Sequence, residues 1–302
     1  MKVLMAVDGS TKSLEAVQNV GNFLNAERDE VVMYYSPPEF SLPDESRMDP
    51  SIGADIRQRL LQDVFDKSRE KLPAEFTEKV EMIRGEKKPA EGVLLAAKQS
   101  EADLIVLGAD ARRDGLIPYL GSVARKVARQ AEVPVLVYRR PEYQPEITSS
   151  INMMLAHDGS EAATRAGEAL GEFAWPEGTL GTVARVMEFV DIRLAGEPLP
   201  QGTFLFRDDY EAYLEESKKS ATKQLKEKLS GLPDFLANEP PRILTRPSVQ
   251  TLVDQCVDSK TNLLVVAPHK RRLNWAILGA TTESLLHYAP CSVLVWHGKE
   301  CP

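Results

Sequence analysis

The sequence predicts an α/β protein of two tandem domains, each a doubly wound parallel sheet of five strands. Short apolar runs alternate with helical patterns, and each run is apolar on both faces, as in a parallel sheet that helices cover on both sides. The chain has 302 residues, enough for two domains of about 150 residues each. In addition, the pattern of the first half starts again in the second half. These observations together predict two copies of one β-α-β-α-β-α-β-α-β unit.

The strands of the first half are predicted from the runs KVLMAV, EVVMYYS, EKVEMIR, DLIVLGA and VPVLVYR, with helices between them. Between its second and third strands, each half carries a long segment that leads into a helix. We expect this helix near residues 56–71 in the first half and near residues 208–229 in the second. Loops beside the carboxyl edge of such a sheet line the binding crevice, so these segments are interpreted either as lids or as surface decoration.

The repeat is clearest after the first and fourth strands. MKVLMAVDGSTKSLEAV is matched by INMMLAHDGSEAATRAGEAL, which places Asp158-Gly159-Ser160 150 residues after Asp8-Gly9-Ser10. Likewise, ADLIVLGADARRDGLIPYLGSVARKV is matched by TNLLVVAPHKRRLNWAILGATTESLL. A repeat of this length indicates a duplicated domain, because solenoid units span about 20–50 residues. We expect domain 1 over residues 1–142 and domain 2 over 150–302, with RRPEYQPEITSS between them.

The composition is that of a protein that avoids nucleic acids and membranes. The net charge is −8, which argues against a surface that seeks nucleic acid or lipid. The first residues contain only about five apolar side chains, fewer than a secretory signal needs. The three cysteines, Cys256, Cys291 and Cys301, form no CxxC pair, and we expect the first two to be buried, inert thiols. These features favour a cytoplasmic location.

The loop after the fourth strand has the chemistry of a phosphate site. Gly108 is expected to end the strand, and Gly121 with Ser122 to open the next helix. Glycines let backbone N–H groups approach an anion, and a helix presents its positive end at its N-terminus. Asp8, at the same sheet edge, can accept hydrogen bonds from a base or a ribose. The sequence contains neither a Walker A motif nor GxGxxG, so a different type of anion site is predicted.

These motifs resemble those of the universal stress protein family. The resemblance rests on AVDGS after strand one, on the pattern G-x2-G-x9-G-[ST] after strand four, in which the second glycine is Ala111, and on the final strand VPVLVYR. It implies a Rossmann-like fold of the adenine nucleotide alpha hydrolase type, with ATP and Mg²⁺ bound in the first domain. The nucleotide contacts that it implies are Val7, Asp8, Ser36, Leu107, Gly108, Ala111, Arg112, Gly121 and Ser122.

Each of these assignments has a structural alternative. Asp8 is also suited to cap a helix, the two glycines also suit tight turns or close packing, and Arg112 is also interpreted as a solvated loop charge. In the second half the glycine pattern is lost: Ala267 and Lys270 replace the first two glycines, the interval to Gly279 is one residue shorter, and Ala280 replaces the hydroxyl. A triphosphate site is therefore not expected there. His157, Asp158 and His269 are interpreted either as polar loop residues or as ligands of a metal or small anion.

The resemblance favours a cytoplasmic stress-response protein that uses ATP as a regulatory ligand. No catalytic triad or carboxylate pair is recognisable in motif form, so at most slow ATP hydrolysis is expected. The alternatives are a scaffold that binds no nucleotide, and a metal or small-ligand carrier centred on the second domain. Family members commonly dimerise through their last strand, so we expect VPVLVYR and CSVLVWH to pair within one chain as a pseudo-dimer. A homodimer of the whole chain stays an open alternative.

Overall fold

The fold is one mixed sheet shared by both halves of the chain. The structure is a computed structural model that describes residues 1–37, 50–109, 120–141, 150–187, 205–244, 249–268 and 278–298. Within these residues, ten strands pair in the order β3-β2-β1-β4-β5-β10-β9-β6-β7-β8. Every neighbouring pair is parallel except β5 with β10. The expected α/β class and parallel strand pairing within each half are confirmed.

The strands are short and buried, as expected for a sheet covered on both faces. Their bounds are Lys2–Ala6 (β1), Glu30–Tyr35 (β2), Glu81–Arg84 (β3), Leu104–Gly108 (β4), Val135–Tyr138 (β5), Asn152–Ala156 (β6), Leu180–Val186 (β7), Arg242–Leu244 (β8), Leu263–Val266 (β9) and Ser292–Val295 (β10).

The helices lie between the strands. Their bounds are Thr11–Gly21 (α1), Pro50–Arg69 (α2), Ala74–Thr77 (α3), Pro89–Gln99 (α4), Ser122–Gln130 (α5), Glu161–Ala169 (α6), Leu205–Lys228 (α7), Asp234–Ala237 (α8), Val249–Asp258 (α9) and Ala280–Tyr288 (α10), and a 3₁₀ turn spans Leu170–Glu172.

The two helices expected after the long segments are both present. The first begins earlier than expected, at Pro50, and ends at Arg69. Proline suits the first turn of a helix, where its missing N–H group costs no hydrogen bond. The second covers Leu205–Lys228, close to its expected bounds. The loops that lead into them, residues 38–49 and 188–204, lie outside the described residues, and so their interpretation as lids or decoration stays a prediction.

The two halves meet through their last strands. β5 and β10 are antiparallel, with Val135 opposite Val295, Leu136 opposite Leu294 and Val137 opposite Val293. This register is symmetric about the pair of leucines, as in an isologous interface between two copies. The pairing of VPVLVYR with CSVLVWH within one chain, expected from the sequence, is therefore observed.

One of the first two residues after each last strand reaches into the other half. Arg139 is 1% exposed, and its guanidinium donates to the carbonyl oxygens of Leu286 and Ala289 at the end of α10. The ring of His297, which is also buried, lies 2.9 Å through Nε2 from the carbonyl oxygen of Ala128 in α5. A cation or N–H donor suits the C-terminal end of a helix because its last carbonyls lack partners. Each half thus caps the last helix of the other.

The buried cysteines are part of the core. Cys256 lies in α9 and Cys291 precedes β10, and both are fully buried, as expected. The hydrogen bond with the neighbouring Cys256 and, after it, burial raise the pKa of the Cys291 thiol, which keeps it protonated and unreactive. Cys301 lies outside the described residues.

Candidate functional site

The loop after β1 turns sharply at the carboxyl edge of the sheet. Val7 is buried and its N–H donates to the Tyr34 carbonyl oxygen over 2.9 Å, which continues the strand pairing. Asp8 is exposed, and its Oδ1 accepts from Ser10 N–H over 2.9 Å. Gly9 has φ +75°, a left-handed conformation that favours glycine. The loop therefore needs its Asp-Gly-Ser sequence to form.

Asp8 has two interpretations, as a ligand contact and as a helix cap, and the geometry distinguishes them. The residue that caps α1 is Ser10, whose side chain accepts from Ser13 N–H over 3.3 Å. Asp8 lies before the cap, and one carboxylate oxygen shapes the turn. The carboxylate is exposed at the edge where β1 and β4 end side by side, since Ala6 pairs with Leu107. Asp8 is thus in position to meet a ligand, and helix capping does not require it.

Gly108 is a glycine for a reason within the chain. A Cβ atom on it would lie 2.5 Å from the Lys12 carbonyl oxygen and 2.8 Å from the Ser13 nitrogen. The backbone of the first turn of α1 therefore packs directly on the end of β4. This contact brings the loop after β1 against the end of β4, as expected, but it accounts for Gly108 through packing, without a ligand.

Gly121 differs from Gly108, because no packing contact of the described residues requires a glycine there. It precedes α5 with φ −55° and ψ 148°, a conformation open to any residue, and no atom of the described residues lies within 4 Å of a Cβ placed there. No side chain of the described residues caps α5, and its first backbone bond joins Arg125 N–H to the Gly121 carbonyl oxygen over 3.0 Å. The earlier amide groups of the first turn, together with the exposed Ser122, are therefore open to an anion.

The remaining predicted contacts of the first half are less informative. The hydroxyl of Ser36 donates to the Lys87 carbonyl oxygen over 2.7 Å, so its proton is already used within the chain. Leu107 is buried in the sheet. Ala111 and Arg112 lie outside the described residues, and their assigned contacts stay predictions.

His157 is a structural residue of the loop after β6. It is 1% exposed; its Nδ1 accepts from Gly159 N–H over 2.9 Å, and its Nε2 lies 3.1 Å from the Thr164 hydroxyl. Both ring nitrogens therefore have partners within the chain, which leaves no lone pair for a metal and does not support the interpretation of His157 as a ligand. Burial lowers the pKa of the imidazole, with a smaller contribution from the nearby cations Lys228 and Arg185.

The structure also gives no support to Asp158 and His269 as metal ligands. No group of three or more His, Cys, Asp and Glu residues among the described ones is arranged to hold a metal ion. Asp158 uses Oδ1 to accept from Ser160 N–H over 2.9 Å, like Asp8 in the first half. His269 lies outside the described residues.

The second half keeps one feature of the first. Gly279 precedes α10 with φ −57° and ψ 147°, and nothing lies within 4 Å of a Cβ placed there. However, Ala280 follows it and offers no hydroxyl, and Ala267 follows β9 in place of a glycine. The helix start is conserved in shape between the two halves but not in side chains.

Two cations at this edge were missed in reading the sequence. Arg185 lies one residue before the end of β7, at the position of Tyr35 in the repeat, and Lys228 ends α7. The signal for Arg185 is available: aligning EVVMYYS with LGTVARV places a guanidinium where the first half has an aromatic ring. Nothing in the sequence alone indicates that Lys228 returns to the same loop.

The architecture defines a tandem, doubly wound α/β protein of the Rossmann-like type, with a glycine-framed helix start at the carboxyl edge of each half. The model of the universal stress protein family matches residues 1–139 and 152–297. The chain therefore belongs to the universal stress protein family, and its two matches make it a tandem member, as the sequence predicts.

Individual relatives agree with this assignment. The chain is 30% identical over 146 residues to a universal stress protein of Methanocaldococcus jannaschii, a match that covers 47% of this chain and 83% of that protein. Among solved structures, a universal stress protein of Archaeoglobus fulgidus superposes with a TM-score of 0.62 and 17% identity, over 98% of both chains. A putative universal stress protein of Pseudomonas aeruginosa has a TM-score of 0.55 and 16% identity, over 98% of this chain and 92% of that one. At these identities the solved structures show the fold alone.

The described helices do not meet the requirements of a membrane span. None of them combines the length and the apolar character that crossing a bilayer requires.

Proposed function

We propose that the first half binds ATP as a regulatory ligand of a stress-response protein. The observation that supports this most is Gly121, because its conformation is ordinary and the space beside it is open. A glycine that neither the backbone nor the packing requires is accounted for by a group that approaches from outside. The first turn of α5, which no described side chain caps, supports an anion as that group.

The other end of the nucleotide would lie at the loop after β1. The exposed carboxylate of Asp8 stands where β1 and β4 end together, and the first turn of α1 packs on Gly108. The base or ribose would donate to Asp8 while the phosphates accept from the amides of α5. Burial raises the pKa of Tyr35, and the charge of Asp8 raises it further.

Mg²⁺ would enter with the triphosphate and offset its charge. The residues of this chain then bind and orient the nucleotide. A regulatory role in the cytoplasm follows from the acidic composition and from the absence of a catalytic motif in the sequence.

The experiment that tests this proposal is to purify the protein and identify what copurifies by mass spectrometry. We expect ATP or ADP bound in the wild type and absent from Gly121→Asp, because the new carboxylate would stand in the space for the phosphates. Gly279→Asp, the same change in the second half, is the matched control and is expected to retain the nucleotide. A wild type that carries no nucleotide and whose melting temperature ignores added ATP would favour the scaffold alternative.

A further inference from the structure

The loop after β6 is held from three sides. Gly159 has φ +91°, its N–H donates to His157 Nδ1 over 2.9 Å, and its carbonyl oxygen accepts from Lys228 Nζ. The third contact is made by Arg185, whose Cζ and Nη2 lie 3.5 Å, and whose Nη1 lies 3.6 Å, from the position of a Cβ on Gly159. Two cationic side chains from separate elements therefore meet at one peptide.

The guanidinium of Arg185 lies flat on Gly159. The three distances differ by only 0.1 Å, which means that the face of the group, and not its edge, is turned to the glycine. The N–H donors lie in the plane of the guanidinium, so they point sideways, away from the contact. Within the described ranges, Arg185 makes no hydrogen bond and no ion pair, and its side chain is half-buried. Its N–H donors therefore have no partner among the described residues.

Among the described residues, positive charge exceeds negative charge around Gly159. Lys228 and Arg185 are positive, and both lower the pKa of His157, in addition to the larger effect of burial, which shows that they face the same ring. Asp158 is the carboxylate that acts on the imidazole in the opposite direction. Oδ1 of Asp158 already accepts from Ser160 N–H. Among the described residues that act on this ring, one carboxylate therefore stands against two cations.

The equivalent place in the first half is apolar. Gly9 is faced by Val64, whose Cγ2 would lie 3.0 Å from a Cβ, and Tyr35 occupies the position of Arg185. Tyr35 packs edge-on against Phe65 at 6.4 Å. The same backbone turn thus carries an aromatic and aliphatic cluster in one half and two cations in the other, which indicates different ligands.

We propose that the second half binds a small phosphate-bearing anion between Arg185 and Lys228 at the loop after β6. A planar guanidinium with free, fixed N–H groups matches two oxygens of a phosphate, and an ammonium adds a second charge-assisted hydrogen bond. A dianionic phosphate also offsets the excess of positive charge better than a carboxylate does. This site is separate from the ATP site proposed for the first half.

The test is a titration with inorganic phosphate, followed by NMR at the backbone amide of Gly159. The starting protein is Gly121→Asp, in which the site proposed for the first half is blocked. We expect a saturable shift of the Gly159 signal, and a loss of affinity of about tenfold or more in Arg185→Gln, as expected when a charge-assisted hydrogen-bonding group is removed. Lys228→Gln, which lies on the exposed end of a helix and leaves the core intact, is expected to weaken binding as well.

The control is Arg165→Gln, which removes an exposed arginine of α6 that pairs with Glu161 over 3.3 Å. It is expected to leave the affinity for phosphate unchanged. The proposal is overturned if Gly159 does not respond, if chloride at the same ionic strength gives the same shift, or if Arg165→Gln weakens binding as much as Arg185→Gln. Acetate that binds as tightly as phosphate would overturn the assignment to a phosphate group. Loss of phosphate binding would leave the ATP proposal untouched, and the reverse also holds.

Discussion

After β1 and after β6 the chain makes the same turn with different neighbours. In both copies an Asp accepts from the amide of a serine two residues later, a glycine has positive φ, and that serine caps the next helix. In the first half the turn is faced by Val64 and Tyr35, and in the second by Arg185 and Lys228. The comparison teaches that duplication preserved the backbone requirements of the fold while the side chains above it diverged.

The glycines of the glycine-framed loops also differ in what surrounds them. Gly108 is required by the backbone of α1, whereas a Cβ on Gly121 or Gly279 would meet no atom of the described residues within 4 Å. Glycines that look alike in the sequence pattern therefore serve packing in one case and leave open space in the other. This difference predicts distinct effects of substitution.

The largest effect on stability is expected at Gly108. Gly108→Ala would place a Cβ 2.5 Å from the Lys12 carbonyl oxygen, and because that atom belongs to the backbone, it cannot move aside easily. We expect the free energy of unfolding to fall by about 3 kcal/mol, at the upper end of the range for overpacking. Urea denaturation monitored by circular dichroism measures it.

The matched control is Gly121→Ala, where the new methyl group meets open space. Its effect on unfolding is expected to stay within about 0.5 kcal/mol, as for surface substitutions. Equal destabilisation by the two changes would contradict the division of the glycines into packing and open positions.

A smaller loss is expected at the seam between the halves. Arg139→Met removes the donor that caps α10 and leaves the buried carbonyl oxygens of Leu286 and Ala289 without it. We expect a loss of about 2 kcal/mol, because unsatisfied buried acceptors are costly. Burial lowers the pKa of Arg139 to about 10, so the side chain is still charged at pH 7.

The neighbouring Arg140 provides the comparison for this seam. It is more exposed and pairs with Glu15 over 2.9 Å, and Arg140→Met is expected to cost at most about 1 kcal/mol, like other surface ion pairs. A larger effect of Arg140→Met than of Arg139→Met in the same denaturation experiment would show that the reciprocal capping does not hold the halves together.

The smallest effect is a pH dependence that belongs to the second half. Burial lowers the pKa of His157, so the folded protein keeps the ring neutral at a pH where the unfolded chain binds a proton. Stability is therefore lost as the pH falls below about 6.5, the usual histidine value, by at most about 1.4 kcal/mol per pH unit.

His157→Asn keeps an acceptor for the Gly159 amide and removes the titrating ring. Thermal unfolding of both proteins between pH 7 and pH 5 is expected to show a weaker pH dependence in the variant. Parallel curves would mean that His157 does not titrate differently in the folded and unfolded states.

Much of this architecture was predictable from local patterns. Buried runs, the serine caps and the repeated Asp-Gly-Ser sequence predicted the parallel strands, the helix starts and the duplication, because these depend on residues close in the chain. The helix start at Pro50 was not predicted. Close packing was one of the two interpretations of Gly108, but its partner in α1 was not predicted, and neither was the meeting of Lys228 with Gly159. The last two depend on contacts between elements that are distant in sequence, and a pattern of residue types does not encode those distances.

The most direct test of the account is calorimetric titration of Mg²⁺-ATP into three proteins: the wild type, Gly121→Asp and Gly279→Asp. The account predicts one ATP per chain in the wild type, no binding in Gly121→Asp and unchanged binding in Gly279→Asp. Two ATP molecules per chain, or loss of binding in Gly279→Asp with retention in Gly121→Asp, would contradict the assignment of the nucleotide to the first half.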